Sequence, residues 1–267
     1  MWTWLFIALA VPLGLAVLAR VIEPRLTFFP SRGQYATPSG AGITFDASTI
    51  QTADGAQLRA WVLPNQHARA SVLFFHGNGG NLSGWLPVVA AIHAQGYAVT
   101  AFDYRGYGLS TGAPSERGLY QDVDAVLAWW TPRQRPGVPV VFWGRSLGTT
   151  FAAYAATKAR PSGLILESGF AEARSVLRDS PALLVLSYFA SYRLPTARHA
   201  QAAGCPILVM HGDADRVIPF ANGRALYEAV PEPKRFEIIR GGDHNDVAPP
   251  DPGRYWTAVR EFVSTLR

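Results

Sequence analysis

The sequence predicts an α/β domain, a mostly parallel sheet covered by helices on both faces. Three observations carry that expectation. Strand-like and helix-like segments alternate from about residue 43 to the C-terminus. The strand-like segments are continuous apolar runs rather than polar–apolar alternations, the mark of strands buried on both faces. With 267 residues, 49% of them apolar and 16% charged, the chain can bury a sizeable core.

The elements follow in order. "ITFDASTIQT" (43–52) and "QLRAWVLP" (57–64) flank Asp54-Gly55, a turn dipeptide, and predict an antiparallel hairpin. "ASVLFFHGNGG" is a buried strand that runs into a glycine-rich loop, followed by a helix over 84–95. "AVTAFD" (98–103) is the next strand. "SERGLYQDVDAVLAWW" (115–130) opens with a Ser-x-x-Gly cap and carries apolar residues at helical spacing. A strand over 138–143 and a helix over 147–159 come next, then strands at "GLILES" (163–168) and "CPILVMHGD" (205–213). A helix over 221–230, a strand over 234–241 and a closing helix over 252–267 complete the pattern.

Two regions stand outside the alternation. Residues 170–200 exceed what one crossover helix needs, and the run "ALLVLSYF" is strongly apolar. We expect a short helical cap over the strand ends, where a substrate would lie; a crossover built on a bent helix would use the same residues. At the N-terminus no charged residue occurs from Trp2 to Ala19, a run long enough to cross a bilayer core. Little positive charge precedes it and "AVLARVIEP" is a poor cleavage site, so it reads as a retained anchor rather than a signal peptide. The predicted organisation is a transmembrane anchor over 1–22, a linker over 23–42 and the α/β domain over 43–267. Arg20, Arg25 and Arg32 after the span point the domain to the cytoplasmic side.

The net charge of +5 comes almost wholly from scattered arginines, with no block that would track a phosphate backbone, so nucleic acid is not an expected partner. Cys205, the one cysteine, excludes an intrachain disulfide and reads as a buried small apolar residue.

The sequence holds two matches to G-x-S-x-G, Gly144 to Gly148 and Gly108 to Gly112. A nucleophile elbow needs a buried strand running in and a helix running out, so that the serine is exposed at the sheet edge and helix N–H groups face developing negative charge. Val138 to Trp143 and Leu147 to Ala159 supply both flanks for Ser146. Ser110 sits in a glycine-rich loop with neither, and reads as a loop residue.

A serine hydroxyl needs a base, and the base needs an acid to fix its tautomer; in strand–elbow–helix hydrolases the order along the chain is Ser, acid, His. Of six histidines, those at 199, 211 and 244 follow Ser146. His244 lies in a strand-end loop before the last helix, where a base could face Ser146. His211 reads as a turn former and His199 falls in the cap-like segment. "HGDADRVIP" offers Asp213 and Asp215 as the acid, and spacing alone does not separate them. Asp243 and Asp246 are too near His244 in sequence for the usual orienting geometry. For the oxyanion the donors would be the N–H of Leu147 and an N–H of the 76–81 loop, Asn78 first and Gly79 second. His76 precedes the serine and reads as a residue that shapes this loop.

Taken together, "FFHGNGGN", "DYRGYGLSTGAPSERGLYQDVDA", "WGRSLGT", "LESGF", "HGDADRVIPF" and "GGDHND" resemble the α/β-hydrolase superfamily, in particular its Bem46-like and ABHD13/ABHD17-like serine hydrolases. The likeness runs in order from about residue 43 to the end. It implies the α/β-hydrolase fold and a triad of Ser146, Asp215 and His244. The aspartate in question is the second one of the family's His-Gly-x-x-Asp motif. It also implies a structural role for the loop that holds Ser110, and an apolar N-terminal segment before the domain. No metal or cofactor is implied. The expected activity is hydrolysis of acyl esters or thioesters, lipid-like substrates included, through an acyl-enzyme. A peptidase or amidase of the same fold, and a non-catalytic binding protein on that fold, are the rival expectations.

Overall fold

The computed structural model describes residues 20–25, 27–178, 191–246 and 248–267. The apolar run over 2–19 lies outside them, as does the whole of "ALLVLSYF" (182–189). Among the described residues no helix is long and apolar enough to cross a membrane.

Among the described residues eight strands form one sheet: β1 (Asp46–Gln51), β2 (Gln57–Leu63), β3 (Ser71–Phe75), β4 (Ala98–Phe102), β5 (Val140–Arg145), β6 (Gly163–Glu167), β7 (Ile207–Gly212) and β8 (Lys234–Ile239). Their spatial order is β1-β2-β4-β3-β5-β6-β7-β8. β1 and β2 are antiparallel, as the Asp54-Gly55 turn predicts, and β2 meets β4 antiparallel. Every later pairing is parallel. The parallel strands therefore end together, at the edge to which β3, β5, β7 and β8 deliver their loops.

The apolar runs of the sequence have a direct physical cause. Leu73 and Phe75 of β3, Phe142 of β5 and Leu164 of β6 face one core, packed under α2 (Glu116–Trp130) and α3 (Gly148–Ala159). Val72, Phe74, Trp143 and Ile165 alternate with them and face a second core under α1 (Leu82–Ala94) and α7 (Pro252–Ser264). Both faces exclude water, so both sets of alternating positions are apolar. The helix starts are locally encoded. Asn81 accepts from the Ser83 and Gly84 N–H groups at 2.9 and 3.3 Å, so α1 begins two residues earlier than periodicity predicts. Ser115 caps α2 through the Gly118 N–H at 3.1 Å.

Of the region over 170–200, the described parts are residues 170–178, which include α4 (Ala173–Arg178), and residues 191–200, which lead into α5 (Thr196–Gln201). A further helix, α6 (Phe220–Ala229), lies between β7 and β8.

Residues 27–36, within the stretch expected as a linker, run along the loops at the strand ends. Phe29 and Pro30 pair in parallel with Gly79 and Gly80. Asn81 Nδ2 donates to the Ser31 and Gly33 carbonyls at 3.1 and 2.9 Å, and Arg32 reaches the Ser110 and Gly112 carbonyls. The loop that holds Ser110 is built on an ionic cluster, buried at Arg105 and Asp122 and open to solvent at Asp54. Arg105 spans Asp122, through its backbone N–H and Nε, and Asp54, through both Nη atoms. Ser110 itself is buried, donating to the Asp103 carbonyl at 2.8 Å and accepting from the Arg59 N–H at 2.9 Å. Both of its hydrogen-bonding capacities serve the loop.

Candidate active site

Ser146 sits on the turn between β5 and α3 with φ of 54°. A left-handed backbone at a residue with a Cβ costs about 1–2 kcal/mol, so the surroundings must enforce it. They do. The Ser146 N–H donates to the Glu167 carbonyl at 2.8 Å, and its own carbonyl accepts from the Thr149 N–H and hydroxyl at 3.0 and 2.6 Å. The flanking glycines are a steric requirement. A Cβ on Gly144 would stand 2.4 Å from the Gly148 carbonyl oxygen.

Three side chains from three loops meet here. His244 Nε2 is 2.9 Å from Ser146 Oγ, and His244 Nδ1 is 2.8 Å from Asp215 Oδ2. With Nδ1–H donating to the carboxylate, Nε2 is left to accept from the serine hydroxyl. The second carboxylate oxygen of Asp215 accepts the Val217 and Ile218 N–H groups at 2.9 and 2.8 Å. Burial acts to raise the Asp215 carboxyl. Hydrogen bonds from His211 and His244 outweigh it and hold the group below the usual carboxylate range.

The structure separates the residues that spacing left together. Asp213 turns away from His244 and accepts the Gly241 N–H at 2.6 Å, tying the acid loop to the start of the histidine loop. His211 is buried at the end of β7, with Nε2 2.9 Å from the Ile218 carbonyl and 3.3 Å from Asp215. It thus buttresses the acid rather than making a turn. His199 lies 3.2 Å from the Tyr120 hydroxyl, away from Ser146. His76 is enclosed by Trp85, Tyr104 and Tyr107, with Nδ1 2.7 Å from the Gly77 carbonyl oxygen.

Leu147 follows the nucleophile at the head of α3. The Asn78 loop lies against the same point: a Cβ on Gly77 would be 3.3 Å from Ser146 Cβ. The Asn78 side chain makes three hydrogen bonds, accepting from the Phe29 N–H and the Tyr107 hydroxyl and donating to the Thr27 carbonyl. These bonds orient the loop and tie it to the N-terminal segment, a connection that no periodicity announces.

Ser146 and His244 open into a cavity of about 630 Å³ with walls that include Phe29, Trp85, Phe170, Val176, Leu194 and Ile218. One side of it depends on the chain returning from the crossover, whose N–H groups are gripped by two carboxylates. Glu23 accepts from Ser191 and Tyr192, and Glu116 from Arg193 and Leu194, each backbone contact at 2.8 Å. Neither glutamate is singled out by any motif; each is a long-range partner visible only in the folded chain.

Comparison with known proteins agrees with this architecture. A family model described as serine aminopeptidase, S33, matches residues 66–197. An uncharacterized membrane protein of Saccharomyces cerevisiae, YNL320W, is 32% identical over 242 residues, covering 87% of this chain and 84% of the relative. The lysophosphatidylserine lipase ABHD12 of Macaca fascicularis is 32% identical over 193 residues, covering 65% of this chain and 48% of that protein. Among solved structures, the Pyrococcus furiosus esterase Pf2001 superposes with a TM-score of 0.72 at 19% identity, covering 89% of this chain and 99% of the esterase. The strand order, the elbow and these likenesses together place the chain in the α/β-hydrolase superfamily, to which it belongs.

Proposed function

We propose that the chain is a serine hydrolase that cleaves carboxylic acyl esters or thioesters, lipid-like ones included. The observation that supports this most is the unbroken hydrogen-bond path from Ser146 through His244 to Asp215 at the base of a largely apolar cavity. In this reading Ser146 Oγ attacks the acyl carbon while its proton passes to His244 Nε2. The tetrahedral oxyanion lies against the N–H groups of Leu147 and Asn78. His244 then gives that proton to the leaving oxygen or sulfur as the carbonyl re-forms, leaving an acyl-Ser146 ester. Water, deprotonated by the same imidazole, attacks the ester; as the acyl–Oγ bond breaks, His244 returns the proton to Ser146 Oγ and the acid leaves. Asp215 remains ionised and holds Nδ1–H throughout.

We further propose that residues 2–19 anchor the domain to a membrane. The uncharged apolar run and the yeast relative described as a membrane protein support this. A lipid-like acyl group suits both the anchor and the apolar cavity wall. Because the family model is described as a serine aminopeptidase, amide cleavage is the second reading; matched p-nitrophenyl esters and p-nitroanilides of one acyl group separate the two. The purified full chain should hydrolyse p-nitrophenyl esters and take up a fluorophosphonate probe, and Ser146→Ala should abolish both. Labelling that persists in Ser146→Ala would assign the nucleophile elsewhere and sink the proposal.

A further inference from the structure

The residue before the nucleophile is a buried arginine. Arg145 ends β5 and its side chain is only 8% exposed. A guanidinium withdrawn from water needs acceptors and a counter-charge. The acceptors come from the histidine loop: Nη2 donates to the carbonyl oxygen of His244 at 3.1 Å and to that of Asp246. The counter-charge is Glu167, with Oε1 3.7 Å from Arg145 Nε. Glu167 is itself fixed at Oε2 by Trp143 Nε1 and the Tyr255 hydroxyl, each at 3.0 Å.

The other attachments of the histidine loop run to the acid loop. Ala214 N–H donates to the Gly242 carbonyl, Gly241 N–H to Asp213, and the Arg216 guanidinium to Asp243. They set His244 relative to Asp215. Among the described residues, Arg145 supplies the hydrogen bonds that join the loop backbone to the elbow strand, apart from the Ser146–His244 contact itself.

We infer that Arg145 is a positioning residue, which sets the reach of the imidazole to the hydroxyl by holding two loop carbonyls to the strand end that carries the nucleophile. The inference rests on Ser146 and His244 being nucleophile and base. A base works only within hydrogen-bond reach of the proton it takes, and a displacement of about 1 Å can lower the rate about 10²-fold.

Removing Arg145 alone would strand the Glu167 carboxylate, so the informative variant is the double substitution Arg145→Met/Glu167→Gln, beside Arg145→Lys. For p-nitrophenyl butyrate the double variant should lose about 10²-fold in kcat with KM within about threefold of wild type. Amide hydrogen exchange over residues 241–246 should quicken while the rest of the sheet keeps its protection. Arg145→Lys keeps the charge but not the planar fork, and should fall between the two. Should the double variant fail to fold, Arg145→Lys carries the same comparison. Wild-type kcat with unchanged loop exchange overturns the inference. A fall in melting temperature alone, with kcat intact, overturns it equally. If the wild type itself turns over no ester and takes up no probe, the hydrolase reading fails instead, and exchange over 241–246 still decides whether Arg145 holds the loop.

Discussion

A Cβ placed on Gly148 would stand 2.0 Å from the carbonyl oxygen of Phe75, so the first turn of α3 lies directly on the end of β3. That closeness is what brings the turn bearing Ser146 against the loop bearing Asn78. It predicts that Gly148→Ala is not a mild change. The new methyl meets backbone, which cannot rotate away, and the loss should be about 3 kcal/mol or more, at the upper end of overpacking effects. Gly79→Ala is the control, since no atom lies within 4 Å of a Cβ there. Thermal unfolding should show a large fall for the first and little for the second.

The backbone of Ser146 yields a second prediction. Its φ of 54° is strained for alanine as for serine and unstrained for glycine. Both Ser146→Ala and Ser146→Gly should be inactive, but Ser146→Gly should be the more stable of the two by about 1 kcal/mol in urea unfolding. If Ser146→Gly were instead the less stable of the two by about 0.4–1 kcal/mol, the cost of glycine's freedom in the unfolded chain, the turn would store no strain.

Asp215→Asn should lower kcat by about 10³–10⁴-fold with a small effect on KM, because the amide cannot hold the Nδ1–H tautomer. The sign of its pH dependence also follows. The folded carboxyl lies below its ordinary range, so its stabilising contribution is present above pH of about 4 and is lost as pH falls toward the folded value. The stability gap between wild type and Asp215→Asn should therefore narrow only in acid. A gap that closes above pH 6 would contradict this.

Asp122 behaves in the opposite sense. Its complete burial pushes the carboxyl up to about 6, against the hydrogen bonds and charge of Arg105. A carboxyl raised on folding contributes most below its unfolded value near 4, and that contribution is lost as pH rises through about 6. At about 1.4 kcal/mol per tenfold change in proton affinity, the stability of wild type relative to Asp122→Asn should fall by up to about 3 kcal/mol between pH 4 and 7. Urea unfolding across that range checks it; a difference that is flat or grows would reverse the assignment.

Much of this molecule is legible along the chain. The hairpin at Asp54-Gly55, the cap at Ser115 and the strand–elbow–helix around Ser146 depend on neighbours within a few residues, and the structure has them where the sequence predicts. The dismissal of Ser110 is equally local, since its loop has neither strand nor helix beside it. Less legible was the stretch over 23–42. Phe29 and Pro30 make a short parallel pair with Gly79 and Gly80, and two residues of strand leave no periodicity to detect.

What the sequence determined by itself is the succession of elements and their two-sided burial, because backbone propensity and apolar period are written in contiguous residues. Beyond the triad that the family likeness implies, what only the tertiary structure decided is the geometry in which polar side chains share a site. Asp215 rather than Asp213 faces His244 across a separation of 29 residues, and His244 faces Ser146 across 98. Arg145 meets the carbonyls of the histidine loop, and Glu23 and Glu116 grip the returning crossover. The contacts among Ser146, Asp215, His244 and Arg145 depend on strands β5, β7 and β8 ending at one edge of the sheet, a consequence of the strand order that no local stretch of residues contains.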